Sequence, residues 1–416
     1  MNIKRDFYLN QLRLREDNGM IKVITGVRRS GKSYLLFNIY CEYLKQKDVE
    51  SDHIIKIAFD SIEYDYLREP HTLYNYIKNL IVDNNKYYIL LDEIQYVNRF
   101  PEVLNSLLRL DNTDIYVTGS NSRFLSSDIL TEFRGRGDEI RIYPLSFSEF
   151  VEYYDGGEEE AFYEYMTFGG LPRILSMKND EQKSQYLTNL FDETYLKDII
   201  EHNRIKNTDE LEDLINMIAS SIGSLVNPRK LENTFKSVRG SDITDKTIRI
   251  YLDYLKDSFL IDTVIRFNIK GKKYINTPFK IYFVDTGLRN ARLGFRQMEE
   301  THLMENIIYN ELKRRGYNVD IGIVEVRENE NGKNTRKQLE VDFIAYKGNN
   351  KYYIQSAFSL HDNDKKNQEE RPLLNIDDSF KKIVVVGHYM KLKRDDKGIT
   401  TISIREFLKN ENSLDL

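Results

Sequence analysis

Through the first 150 residues, short β-branched apolar runs alternate with longer stretches of helical spacing. The runs fall at 21–25 (IKVIT), 54–59 (IIKIAF), 87–91 (YYILL), 115–118 (IYVT) and 139–142 (EIRI), with helical patterns at 33–45, 71–83 and 100–110. Such alternation predicts an α/β domain built on a doubly wound, largely parallel sheet. The acidic stretch 153–160 (YYDGGEEE) reads as a surface loop and a boundary. From there to about residue 206 the pattern is mostly helical. Three further helices are expected over 211–225, 227–237 and 242–259. The second opens with Pro228 near its first position, and the third carries Ile248, Leu252, Leu255 and Phe259 as one buried stripe. Two short strands, 263–267 and 273–275, follow, and three helices plus a hairpin outline a winged helix-turn-helix. A last region begins near residue 299, with a helix at 301–315 and strands around 322–327, 340–346, 352–358 and 382–386. Residues 328–337 read as a solvated hairpin or loop.

Composition narrows the partners. The chain has 416 residues, which at about 150 per domain suggests two or three domains. With 61 Lys and Arg against 66 Asp and Glu, the net charge is −5. That balance excludes a protein that coats nucleic acid by bulk charge and leaves only local basic patches. Hydrophobic residues make up 40%, including 29 Tyr and 21 Phe, enough to build cores and exclude wholesale disorder. A single cysteine, Cys41, excludes an internal disulfide and a cysteine-only zinc site. The N-terminal residues lack a signal-peptide pattern, and no apolar run has the length of a membrane span. A soluble, cytoplasmic protein with no membrane partner is expected.

The strongest chemical signal is Gly26-Val27-Arg28-Arg29-Ser30-Gly31-Lys32-Ser33, a match to G-x-x-x-x-G-K-[ST]. The glycines let consecutive backbone N–H groups face a phosphate. Lys32 is expected to reach the β- and γ-phosphates and Ser33 to ligate Mg²⁺. A predicted strand precedes this loop, and a helix from Tyr34 follows it with its N-terminus towards the anion. Residues 26–34 thus form the candidate nucleotide-binding set, with Arg28 and Arg29 at variable positions facing solvent or the adenine side.

Tyr88-Ile89-Leu90-Leu91-Asp92-Glu93 is an apolar strand ending in two carboxylates, the pattern of a Walker B segment. Asp92 is expected to hold Mg²⁺ through water and Glu93 to orient or deprotonate the attacking water. The adjacent acids favour hydrolysis over phosphate transfer to a small molecule, and no N-K-x-D guanine reader is present. At the end of the next strand, Ser120 or Asn121 is a candidate "sensor" for the attacking water or the γ-phosphate, and equally a simple turn former.

The segments GVRRSGKS, YILLDEIQ, YVTGSNS, RGRGDEIRIYPLSFSEF and FGGLPRIL resemble those of prokaryotic AAA-family ATPases whose C-terminal half is a domain of unknown function, of the DUF 4143 type. KIYFVDTGLRNA and MENIIYNELKRRGY extend the resemblance over nearly the whole chain. It implies a P-loop AAA-type core (1–152), a helical lid (153–206), a winged helix-turn-helix (207–297) and a restriction-endonuclease-like α/β domain (298–416). It also implies that Arg134 or Arg136 reaches a neighbouring subunit's nucleotide, which requires a homo-oligomer, and that Arg173 contacts phosphate from the lid; the alternatives are a solvated loop for the first pair and a helix-start surface residue for Arg173.

Nucleases of the restriction-endonuclease type pair a strand acid with acid-x-Lys on the next strand and a helical Glu upstream. Here Glu305, Glu311 and Asp342 are available, but Gln355 and Ala357 stand where the second acid and the lysine belong. A neutral amide is a poor Mg²⁺ ligand, and alanine stabilises no charge. Lys365 or Lys366 would have to substitute, so a non-catalytic module that binds DNA or a protein client is expected. In the winged helix, the candidate nucleic-acid contacts are Lys270, Lys272 and Lys273 at the wing and Lys246, Thr247, Arg249 and Lys256 on the third helix, where Asp245, Asp253 and Asp257 offset the positive charge. The six histidines show no metal-ligand spacing; His302 and Glu305 form the one i, i+3 pair of note. The reading is an ATP- and Mg²⁺-dependent ATPase that moves its C-terminal modules. The competing readings are an ATP-gated DNA- or protein-binding switch and, less favoured, an ATP-regulated nuclease.

Overall fold

The computed structural model describes residues 2–119, 133, 135–330, 333–360 and 363–416. Two compact units divide the chain. One comprises Met1–Pro144, Leu171–Ser176 and Asp257–Phe259; the other comprises Leu145–Gly170, Met177–Lys256 and Leu260–Leu416. No helix among the described residues is long and apolar enough to cross a membrane.

All five strands expected in the first unit are present: β1 (Ile21–Gly26), β2 (Ile54–Ala58), β3 (Tyr87–Asp92), β4 (Thr113–Thr118) and β5 (Gly137–Ile142). They pair in parallel in the order β2-β3-β4-β1-β5. β1, β3 and β4 are buried along their whole length, as strands covered on both faces must be. Alternate residues serve opposite cores. Val23, Ile57, Ile89 and Val117 cluster with Leu73 and Ile77 of the helix Pro70–Leu80 and with Val103 and Leu104 of the helix Phe100–Leu107. Ile24, Ile54, Leu90 and Tyr116 cluster instead with Leu36, Tyr40 and Leu44 of the helix after β1. That helix is α-helical over Lys32–Tyr34, π-helical over Leu35–Tyr40 and α-helical again over Cys41–Gln46. The helix after β1 therefore covers one face, and those after β2 and β3 cover the other. Such a reversal beside the carboxyl end of a strand is where open α/β sheets bind ligands.

An N-terminal helix, Asp6–Arg13, was not apparent from the pattern. It joins the second core through Tyr8 and Leu12.

The second unit opens with helices. Phe147–Glu152 starts on a capping box formed by Ser146 and Glu149. Glu158–Phe168 and Asp180–Leu190, part of the expected lid, cluster with this unit. Thr208–Ser220, Pro228–Thr234 and Asp245–Asp257 are the three further helices. An antiparallel hairpin of β6 (Ile261–Asn268) and β7 (Lys273–Phe283) follows. β7 extends eight residues past the expected 273–275, because Phe279–Phe283 are buried. β6 also pairs in parallel with β8 (Asn318–Glu330) through Arg266↔Ile321, so the hairpin edges a larger sheet. With β9 (Lys333–Lys347), β10 (Asn350–Ala357), β11 (Lys381–Val386), β12 (Lys393–Arg394) and β13 (Ile399–Ser403), the order is β12-β13-β11-β10-β9-β8-β6-β7. The helix Glu300–Arg314 contributes Ile307, Ile308 and Leu312 to the buried interior.

Parts of two segments that carry the resemblance, residues 168–170 and 285–287, meet inside this unit. Asp285 Oδ2 accepts the Gly170 N–H at 2.7 Å, while Oδ1 accepts the Leu288 N–H at 3.0 Å and caps the helix Thr286–Arg292. A side chain on Gly287 would place its Cβ 2.0 Å from the Phe168 carbonyl oxygen, so only glycine permits this approach. Burial pushes the Asp285 carboxyl up to about 6, against the three N–H groups that favour its ionised form. Residues 168–170 and 285–287 thus form a clasp.

Candidate functional site

The glycine-rich loop takes its shape from three positive-φ positions and one close approach. Gly26 has φ +131°, and a Cβ there would lie 2.1 Å from the Ile142 carbonyl oxygen on β5. Gly31 has φ +96° and open space where a Cβ would sit, and no side chain caps the start of the following helix. Arg29, also at positive φ, is exposed, and Arg28 is half-buried. Val27 and Ser30 are buried, and Ser30 Oγ donates to the Val27 carbonyl at 2.8 Å.

Lys32 is buried under this loop. Its ammonium donates to the carbonyls of Gly26 at 2.9 Å and Val27 at 3.0 Å. Burial pushes its pKa down to about 8, partly offset by the charges of Glu93 and Asp92. Phosphate oxygens would favour the ammonium form, so nucleotide binding should take up a proton wherever free Lys32 is neutral. Calorimetry in buffers of different ionisation enthalpy is expected to show uptake approaching one proton per nucleotide at about pH 8.5, falling towards none at about pH 6.5. Equal uptake at both pH values would contradict this protonation of Lys32.

One hydrogen-bonded network joins the ends of three elements. Ser33 Oγ, exposed at the start of the helix, donates to Asp92 Oδ1 at 3.0 Å. Thr118 Oγ1, fully buried at the end of β4, donates to the same oxygen. The Glu93 N–H donates to Thr118 Oγ1 at 3.1 Å, and Gln95 Nε2 donates to Glu93 Oε2. Glu93 itself adopts a left-handed backbone, φ +52°, which turns the chain just after the strand. Burial raises the Asp92 pKa, with the Thr118 and Ser33 hydroxyls acting the other way. Ser33 and Asp92 present hard oxygen donors side by side, a donor set suited to Mg²⁺.

Of the expected residues, the fold brings Lys32, Ser33, Asp92 and Glu93 together at the carboxyl edge of β1 and β3. Tyr34 lies one position on, its hydroxyl donating to Asn2 Oδ1 at 3.2 Å beside a cleft of about 620 Å³. Ser120, Asn121 and Arg134 lie outside the described residues. Arg136 is exposed and donates to Asn105 Oδ1 at 3.1 Å. Arg173 stands exposed in the turn Pro172–Ser176, within the same unit as the loop. Two contributors escaped the motif reading. Thr118, the last residue of β4, sits two positions before Ser120 in the sequence. Arg5 is buried and donates to the carbonyls of Ser30 at 3.1 Å and Tyr143 at 2.8 Å, tying the N-terminal segment to the loop. A buried arginine that bonds distant backbone carbonyls leaves no pattern in a single sequence.

In the other unit, Lys270, Lys272 and Lys273 are exposed at the β6–β7 turn, with Lys270 3.7 Å from Asp377. Arg249 lies 3.7 Å from Asp245 on its own helix. Glu311 is committed to Arg314 at 2.7 Å and Arg315 at 2.6 Å, a structural ion-pair cluster.

The strand, glycine-rich loop, helix and acidic strand end define a P-loop α/β nucleotide-binding fold. A family profile described as "AAA domain" matches residues 18–151, and one described as "Domain of unknown function (DUF8612)" matches residues 159–299. The second match differs from the DUF 4143 type that the resemblance named. A Haemophilus influenzae protein described as "Uncharacterized protein" is 37% identical over 412 residues, covering 98% of each chain. A Methanocaldococcus jannaschii relative, also described as uncharacterized, is 28% identical over 403 residues, covering 92% of this chain and 84% of its own. The chain belongs to the family of AAA-domain proteins that includes the Haemophilus protein. Among solved structures, the Aeropyrum pernix ORC1 protein in complex with DNA is similar at 12% identity and a TM-score of 0.32, covering 70% of this chain and 92% of that one. A DNA replication initiation factor is similar at 14% identity and a TM-score of 0.30, covering 61% and 92%.

Proposed function

We propose that this protein is a Mg²⁺-dependent AAA-type ATPase that converts ATP to ADP and phosphate and uses the change to reposition C-terminal DNA- or protein-binding modules. The observation that carries the reading is the single network linking Ser33, Asp92, Thr118 and Glu93 beside Lys32. A bound Mg²⁺ would supply charge neutralisation between the phosphates. Ser33 and Asp92 are the residues that would hold it.

In this reading Lys32 exchanges its two loop carbonyls for phosphate oxygens. The N–H groups following Gly31 cradle the same anion. Glu93 accepts the proton of the attacking water. Thr118 fixes the backbone of that glutamate, and Gln95 restrains its carboxylate. Arg136, with Arg134, is assigned to a neighbouring copy's nucleotide, so turnover requires a homo-oligomer. Ser120, Asn121 and Arg173 are assigned to sensing the γ-phosphate.

The chain crosses between its two units after Pro144, Gly170, Ser176, Lys256 and Phe259, so a change around the nucleotide has several covalent routes into the second unit. There, the three helices with the β6–β7 hairpin are read as a winged helix-turn-helix and the remaining sheet as a catalytically inactive restriction-endonuclease-like fold. The wing lysines are the phosphate-contacting candidates. ATPase activity measured across size-exclusion fractions, with and without duplex DNA, tests the coupling. Activity confined to an oligomer and raised by DNA is the expected result. DNA binding without stimulation would favour the nucleotide-gated switch instead.

A further inference from the structure

A cluster apart from the P-loop brings two of the candidate acids, Glu305 and Asp342, together with Glu340. Lys280 projects from β7 and is 3% exposed. Its ammonium lies 2.8 Å from Glu305 Oε1 on the helix Glu300–Arg314, 2.7 Å from Glu340 Oε1 and 3.8 Å from Asp342 Oδ1, both on β9. Tyr282 Oη donates to Glu305 Oε1 at 2.5 Å, and the Ser356 N–H donates to Asp342 Oδ2 at 2.8 Å. Burial acts to lower the Lys280 pKa. The three carboxylates more than offset that and hold its pKa above the ordinary lysine value.

Three convergent carboxylates make a hard-oxygen set of the kind that takes Mg²⁺ or Mn²⁺. The restriction-endonuclease-like reading implies such a metal here, and the residues present do not fit one. The cation position among the acids is filled by a covalently attached ammonium, and a divalent ion placed there would meet it at contact distance. The other departures agree. Gln355 spends its amide on the Asp342 N–H at 3.4 Å and on Glu369 at 3.1 Å. Ala357 packs in the apolar core. Lys365 and Lys366 pair with Glu369 at 2.7 Å and Glu370 at 3.3 Å on their own helix.

We infer that Glu305, Glu340 and Asp342 form a cation site whose resident cation is the Lys280 ammonium, so that the native domain takes no divalent metal there and a latent metal site appears when that lysine is removed. The inference is independent of the ATPase reading, because no residue of the P-loop network takes part.

Mn²⁺ binding to the full-length protein, without nucleotide, tests it by calorimetry and thermal unfolding. The wild type is expected to show no Mn²⁺ binding that Asp342→Asn removes. Lys280→Met and Lys280→Ala are each expected to gain one Mn²⁺ site, at least about tenfold tighter than anything in the wild type. A second change, Asp342→Asn, should abolish that gain. If neutralising Lys280 unfolds the protein, Mn²⁺ is expected to restore the folded state, because the acids then need another cation. Wild-type binding sensitive to Asp342→Asn would overturn the inference. So would Lys280 variants that neither bind Mn²⁺ when folded nor recover with it when unfolded.

Discussion

Replacing Lys32 by alanine is expected to leave a folded protein that no longer binds nucleotide at concentrations saturating the wild type. The ammonium makes two hydrogen bonds, to the Gly26 and Val27 carbonyls, and those partners sit in a loop where water can replace it. Folding therefore loses little. Binding loses far more, because charge-assisted hydrogen bonds contribute about 1.5–3 kcal/mol each. Two such contacts to phosphate oxygens amount to at least about 100-fold in affinity. Titration of a fluorescent ATP analogue reads the loss, and thermal unfolding confirms that the variant remains folded. Wild-type affinity in this variant would show that the loop does not bind phosphate through Lys32.

Glu93→Gln is expected to separate binding from turnover. The amide keeps the size and the hydrogen-bonding reach of the carboxylate but cannot accept the water's proton. A general base contributes roughly 10²–10⁴-fold, so hydrolysis should fall by at least about 100-fold with affinity within a few-fold of wild type. The reason to expect clean separation lies in the network. The Glu93 backbone is fixed by Thr118, whose hydroxyl also holds Asp92, and neither bond involves the carboxylate being altered. Phosphate release under single-turnover conditions measures the rate, and equilibrium titration measures the affinity on the same preparation.

The P-loop sheet was legible because its strands are short, apolar and separated by helical spacing, and parallel strands buried on both faces carry little else. The phosphate loop and the Asp92-Glu93 pair were legible because local spacing alone specifies them. Thr118 was not, since a threonine closing a β-branched strand looks like any other strand residue until Asp92 is brought beside it. Arg5 lies 25 residues from Ser30 and 138 from Tyr143, and no local pattern reports such partners. In the second unit, periodicity located the hairpin but stopped β7 at residue 275, because Thr277-Pro278 interrupts the alternation before the buried run Phe279–Phe283. That same shortfall hid Lys280. A lysine in what reads as a loop attracts no notice, whereas on a buried strand facing three acids it decides what the cluster can hold.

The proposed activity requires this chain to bind ATP at residues 26–33 and to cleave it with Glu93. Phosphate release from MgATP at saturation, by the wild type and by Glu93→Gln at matched nucleotide occupancy, tests that most directly. The wild type is predicted to release phosphate, while Glu93→Gln retains bound ATP uncleaved. Equal release by both proteins, or a wild type that holds MgATP and never cleaves it, would contradict the account.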